Sequence, residues 1–156
     1  MSTARYRLDG SCRELPFPAT HHVRDTCLCL HVQRAARALA RRFDDVFRPF
    51  DVTSGQFSLL MSLNRPEPPT LGNVAAVLAM DRTTLTAALK PLERRGLVKV
   101  AVDKEDRRSR RLSLTAAGRA LLAKALPLWT STHDAIDREL GPHSPDDLRA
   151  ALRALA

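Results

Sequence analysis

The sequence predicts a mainly α-helical chain with one small β-hairpin. Three observations lead there. Ala, Leu and Arg dominate the composition, which favours helix. Apolar residues recur at helical steps through most of the chain. Only two short stretches, residues 97–102 and 110–114, alternate apolar with polar as half-exposed strands do. At 156 residues with 44% apolar content, the chain suits one domain, or a small domain fused to an interaction module.

Residues 1–20 contain Gly10, Pro16 and Pro18 and no apolar period, and read as an N-terminal arm, flexible or wrapped on a partner. A long helix is expected from about residue 22 to residue 47. Its stripe is Val32, Ala36, Leu39, Phe43 and Val46, with Arg34, Arg37 and Arg41 on a separate face, and Pro49 and Asp51 break it. Thr53-Ser54-Gly55-Gln56 fits a capping box, in which the Thr53 hydroxyl and the Gln56 amide satisfy backbone groups reciprocally. Phe57, Leu60 and Leu63 form a short stripe that ends at Asn64-Arg65-Pro66, and Pro66-Glu67-Pro68-Pro69-Thr70 is a stiff connector.

A short helix over 71–78 follows, with Val74 and Leu78 one turn apart, then a turn at Ala79 and Met80. Asp81 is placed to cap a second helix, its carboxylate facing free N–H groups and the positive end of the dipole. Leu85, Leu89 and Leu92 bury one face of that helix and Gly96 ends it. Two helices joined by a tight turn form a helix-turn-helix. Beyond the hairpin, Thr115 caps a helix to about residue 140, stopped by Gly141-Pro142. Ser144-Pro145-Asp146-Asp147 opens a last short helix lined by Leu148, Leu152 and Leu155. Pro91 and Pro127 lie inside helices, where each deletes a backbone bond and is expected to bend its helix.

The net charge is +8, and residues 81–111 alone carry +5 of it, from ten basic and five acidic side chains. A concentrated basic surface is the footprint of a polyanion partner. At roughly 100° per residue, Thr83, Ala87, Lys90 and Arg94 lie opposite the buried leucines, with Thr84 and Thr86 on the borders and Arg82 at the N-terminus. Short hydroxyl and methyl side chains let a helix approach base edges, while Arg and Lys reach guanine or phosphate. In the hairpin tip, Asp106 is one residue removed from Arg108. The expected arrangement has the carboxylate holding that guanidinium extended toward a narrow minor groove, with Lys104, Arg107, Arg110 and Arg111 on flanking phosphates.

Residues 71–122 resemble the MarR family of winged helix-turn-helix regulators. The residues that carry the resemblance are the run Asp81-Arg82-Thr83-Thr84-Leu85-Thr86, the exit Leu92-Glu93-Arg94-Arg95-Gly96-Leu97-Val98, and the wing signature of Asp106 and Arg108 followed by Leu114-Thr115 and Gly118. The order of elements matches from about residue 22 to 155. The resemblance implies a winged helix-turn-helix head over 53–115 between dimerisation helices at 21–52 and 116–156. It further implies a homodimer on a pseudo-palindromic operator in double-stranded DNA, acting as a repressor, with the recognition helix in the major groove and the wing in the minor groove. The apolar stripes of the terminal helices exceed what a small head needs, in keeping with a partner surface.

Two signals are compatible with that family. A small aromatic-acid effector would sit between head and dimerisation helices, with His31 or Arg34 pairing its carboxylate and Phe57, Met61 and Trp129 as apolar walls. The last three equally suit plain core packing. The alternative signal is oxidation of a cysteine, since Cys29, near Cys27, aligns with the reactive cysteine of the family's peroxide-sensing branch when Gln56 is the anchor. The tyrosines that partner that thiolate fall on Phe43 and Ser54 here, and Cys27 and Cys29 also suit buried, inert positions.

Other classes find little support. There is no Gly-rich phosphate loop, no GxSxG elbow and no His/Asp/Glu cluster with metal spacing, so no catalytic residues, metal or cofactor are expected. Cys12, Cys27 and Cys29 do not make a disulfide framework. No apolar run is long enough to span a bilayer and the N-terminus has no apolar signal core, which leads to the expectation of a soluble, cytoplasmic protein.

Overall fold

A computed structural model describes residues 15–155. Most of the expected arm, including Cys12, lies outside the described residues. From Phe17 onward it is helical. Helix α1 spans Phe17–Thr26, entered through Pro16 at φ −67°, ψ 138° and with a second proline, Pro18, in its first turn, where a missing N–H costs nothing. The single helix expected over 22–47 is two, because Cys27 turns extended at ψ 103°. Helix α2 then runs Leu28–Phe47. The break has a local cause: the Thr26 hydroxyl donates back to the His22 carbonyl at 2.7 Å, and the Cys27 sulfur accepts from the Leu30 N–H at 3.4 Å, in the manner of a weak N-cap.

The chain divides into two compact units, residues 1–39 and 40–156, with the division inside α2. In the described part of the first, Ala19 is buried, while Val23, Leu28, Val32 and Leu39 are exposed.

The second unit holds the hydrophobic core. Phe43 and Phe47 stack at 5.8 Å and Phe47 stacks on Phe57 at 4.4 Å, tying the end of α2 to helix α3 (Ser54–Ser62). Between them a 3-10 turn at Arg48–Phe50 ends on Asp51, which takes the left-handed conformation at φ 53°. The capping box forms as expected: the Gln56 N–H donates to the Thr53 hydroxyl at 3.2 Å and the Thr53 N–H to the Gln56 side-chain oxygen at 2.9 Å. The Asp44 carboxylate adds an acceptor for the Ser54 N–H at 2.6 Å.

Helix α4 (Leu71–Val77) is capped by Thr70, and helix α5 (Arg82–Arg94) by Asp81. Gly96, at φ 67°, then directs the chain into strand β1 (Val98–Val102). This strand pairs antiparallel with β2 (Arg110–Leu114), in a register from Val98 opposite Leu114 to Val102 opposite Arg110. The connector adds a third edge, since Thr70 bridges Arg111 and the Leu112 N–H donates to the Pro69 carbonyl at 2.9 Å. Helix α6 (Ala116–Glu139) and helix α7 (Pro145–Arg153), capped by Thr115 and Ser144, complete the unit. Both α5 and α6 run unbroken through their internal prolines, Pro91 and Pro127.

Leu85, Leu89 and Leu92 from α5, Leu112 and Leu114 from β2, and Leu122 and Ala125 from α6 converge on the phenylalanine stack and Leu60. On α7, Leu148 and Leu152 remain exposed, as does Leu155 beyond its end. Among the described residues, no helix is long and apolar enough to cross a membrane.

Candidate nucleic-acid interface

The N-terminus of α5 is held by one residue. The Asp81 carboxylate accepts the Thr84 N–H at 2.8 Å and the Thr84 hydroxyl at 2.5 Å. Those bonds, the hydroxyl first and the amide second, hold the Asp81 carboxyl below its ordinary range, so it stays ionised at the positive end of the helix. Arg82, Thr83, Thr86, Ala87, Lys90 and Arg94 are all exposed; the helical period sets Thr83, Ala87, Lys90 and Arg94 opposite the buried leucines, with Thr86 on the border and Arg82 at the N-terminus. The three threonines are not equivalent. Thr84 is committed to Asp81, and the Thr86 hydroxyl donates to the Arg82 carbonyl at 2.7 Å. Among the described residues the Thr83 hydroxyl has no partner. Arg82 lies over the preceding helix, where a Cβ on Gly72 would come 3.4 Å from its Nη2.

In the hairpin, Asp106 does not hold the Arg108 guanidinium. Its carboxylate accepts the Arg108 backbone N–H at 2.9 Å, and its carbonyl accepts the Ser109 N–H at 2.8 Å. A carboxylate two residues upstream reaches a main-chain amide more readily than the end of a long side chain, so the pair forms an Asx turn. Among the described residues the exposed Arg108 guanidinium is therefore left without an acidic partner. Lys104, Arg107 and Arg108 are exposed and enter none of the ion pairs among the described residues, while the Arg110 Nη1 donates to the Arg107 carbonyl at 3.1 Å.

Arg111, expected on phosphate, has a structural place instead. Its Nε donates to the buried Asp103 carboxylate and its Nη1 to the Pro68 carbonyl at 3.1 Å, strapping the hairpin to the connector. Asp103 also accepts the Glu105 N–H at 2.9 Å. That bond foremost, and Arg111 after it, hold its carboxyl below the ordinary carboxylate range against the opposing effect of burial.

The other end of the hairpin is fixed at Thr115. Its hydroxyl donates to the Gly96 carbonyl at 2.6 Å, its N–H to the Leu97 carbonyl at 3.1 Å, and it accepts the Gly118 N–H at 3.1 Å. Gly118 is required by close approach, since a Cβ there would lie 2.2 Å from the Leu97 oxygen. Arg95 closes the C-terminal end of α5, donating to the Asp51 carbonyl and to the Phe50 carbonyl at 2.9 Å. Helix, turn and wing thus share one set of anchors.

A sequence model described as the MarR family matches residues 52–109. The solved structure of the M. tuberculosis transcriptional regulator MosR in complex with DNA superposes with a TM-score of 0.75 and 36% identity, over 83% of this chain and 92% of MosR. The chain belongs to the MarR family. Other relatives include the HTH-type transcriptional regulator TtmR of Methylorubrum extorquens, 34% identical over 64% of this chain. The match spans 51% of TtmR, about half that protein's length. The organic hydroperoxide resistance transcriptional regulator of Bacillus subtilis is 30% identical over 65% of this chain and 69% of its own length. The MarR family comprises DNA-binding, winged helix-turn-helix transcriptional regulators, not enzymes.

Against that frame of a MarR-type head, Phe57 is buried in the core, and Met61 and Trp129 pack against it half-buried. Trp129 and Phe43 flank the His133 ring at 4.2 and 5.1 Å, and burial there pushes the His133 pKa down. A cleft of about 450 Å³ in the same unit is lined elsewhere, by Asp44, Arg48, Thr53, Gln56, Pro91 and Arg95 among others. In the first unit His31 and Arg34 are exposed, with the His31 Nε2 3.4 Å from the Asp25 carbonyl. Cys27 is half-buried, whereas Cys29 is exposed rather than buried, and the Gln33 amide donates to its sulfur at 3.1 Å. Among the described residues, no group of three or more His, Cys, Asp or Glu is placed to hold a metal ion.

Proposed function

We propose that this MarR-family chain acts in the cytoplasm as a homodimeric repressor that binds a pseudo-palindromic operator in double-stranded DNA. One observation carries the reading. The exposed face of α5 and the free cations of the wing tip are fixed to a single frame by Asp81, Thr115–Gly118 and Asp103–Arg111–Pro68. A frame of that kind can place Thr83, Thr86 and Lys90, with Arg82 and Thr84 at the helix entry, in a major groove. Lys104, Arg107, Arg108 and Arg110 then fall on backbone and minor groove, with Asp106 shaping the tip. The exposed leucines of α2 and α7 suit a second copy of the chain. DNase footprinting on an operator enriched from genomic fragments tests this: protection should be two-fold symmetric and affinity should fall steeply with salt. A single asymmetric half-site bound by a monomer would refute the dimeric reading.

The releasing signal in this reading is a small aromatic acid. A second reading is favoured by the exposure of Cys29 and by the name of the B. subtilis relative: oxidation of Cys29, near Cys27, releases the DNA. Operator release measured with and without mild peroxide on the parent and Cys29→Ser separates the two. Release by peroxide that persists in the Ser variant excludes the cysteine as the switch.

A further inference from the structure

The exposed patch at the middle of α5 is built from Thr83, Thr86, Ala87 and Lys90, successive neighbours at steps of three and four. Its hydrogen-bonding capacity is smaller than its composition suggests. A threonine hydroxyl has one donor proton, and that of Thr86 is already engaged by the Arg82 carbonyl at 2.7 Å. Thr84, on the other border, is engaged by Asp81 at 2.5 Å. What Thr86 and Ala87 can offer a base edge is therefore no donor, only methyl surface beside the Thr86 acceptor oxygen. Donors remain only at Thr83 and Lys90, to one side of it.

From this we infer that Thr86, with Ala87 beside it, is a specificity-determining contact for the 5-methyl group of a thymine in each operator half-site. Among the four bases only thymine presents a methyl group in the major groove, and apolar side-chain carbon is its complement. Guanine, with two acceptors, would gain nothing from a hydroxyl whose proton is turned back into the helix. The inference rests on the DNA-binding reading above and refines it to one atom group on each partner.

Replacing thymine by deoxyuridine removes that methyl and leaves base pairing unchanged. Burial of one methyl corresponds to about fourfold in affinity, or about fifteenfold when both half-sites are substituted. Duplexes enriched from a random pool by the full chain would be resynthesised with uracil at one thymine, and its symmetry mate, at a time, and titrated by fluorescence anisotropy at fixed salt. One thymine per half-site should show the loss. The same substitution should be silent for Thr86→Ser, which keeps the hydroxyl and lacks the methyl, and should persist for Thr86→Val. Parent-like binding of every uracil duplex, or a loss that survives undiminished in Thr86→Ser, overturns the contact while leaving DNA binding intact. A pool from which no duplex is enriched overturns the DNA-binding reading itself.

Discussion

Gly118→Ala should destabilise the fold although it replaces glycine by the best helix former in the first turn of α6. A Cβ at this position would lie 2.2 Å from the Leu97 oxygen and 3.2 Å from both the Leu97 carbonyl carbon and the Leu114 Cδ2, where ordinary contact begins at 3.4 Å. The oxygen would have to retreat by more than 1 Å to restore contact distance. It is not free to do so, since it accepts the Thr115 N–H at 3.1 Å and lies 3.3 Å from the Thr115 hydroxyl. Overpacking of this kind costs about 1–3 kcal/mol, and a disrupted hydrogen bond adds about 1 kcal/mol. The helix propensity of alanine offsets about 1 kcal/mol. The net expectation is a loss of about 2 kcal/mol, a large share of a stability of roughly 5–15 kcal/mol. Urea denaturation should show it as a midpoint lowered by about 1–2 M with the slope unchanged. Gly55→Ala is the control, because its Cβ would meet only the Thr53 hydroxyl, at 3.9 Å, and should be neutral or stabilising. A Gly118→Ala protein as stable as the parent would refute the close-approach explanation.

Three further outcomes follow from the same geometry. Arg108→Ala should weaken operator binding and reduce the salt dependence by about one phosphate's worth without changing the melting temperature, and an unchanged titration at matched salt would remove Arg108 from the interface. Asp103→Asn should lower the melting temperature at neutral pH. Because the Asp103 carboxyl is held below its ordinary 3.8, the stabilisation is complete above that value and disappears as pH falls through the lower folded value, so the gap between variant and parent should close in acid; a gap equal at both pH values would mean that charge is not its source. His133 has the opposite origin. Its pKa is pushed below 6.5 by burial, in surroundings that include Asp137, Arg149 and Asp134, so the neutral form is the one the fold favours. Stability should be complete above 6.5 and fall as pH drops through the lower folded value, and His133→Phe should flatten that slope; a slope that persists in the variant would assign it to another group.

Much of the head could be read along the chain. The cap at Asp81, the leucine face of α5, the stop at Gly96, the Thr53–Gln56 box and the two wing strands all came from local spacing, and each formed where expected. The side-chain partners did not follow in the same way. Spacing brought Asp106 and Arg108 within reach of each other, yet the nearer main-chain amide took the carboxylate. Arg111 looked like one more phosphate cation and became the strap to Asp103 and Pro68. Thr84 and Thr86 kept their places on the helix, but their hydroxyl protons turned inward. A local signal existed for the break in the long first helix, a β-branched threonine before Cys27, and the apolar stripe that pointed to a single helix begins only at Val32, beyond the break.

By itself, then, the sequence determined the helices and strands of the head, where they start and stop, and which of their faces are apolar, because caps and periods of 3.6 and 2 act over a few residues. Only the tertiary structure decided which cations are free for a partner and why Gly118 must be glycine. Arg111 is separated from Asp103 by the turn of the hairpin and from Pro68 by some forty residues, and Gly118 meets Leu97 across the whole wing. An ion pair or a close approach depends on what the fold brings alongside. Local spacing carries no record of that, so the same arginine can be read as a phosphate grip in the sequence and act as a strap in the fold.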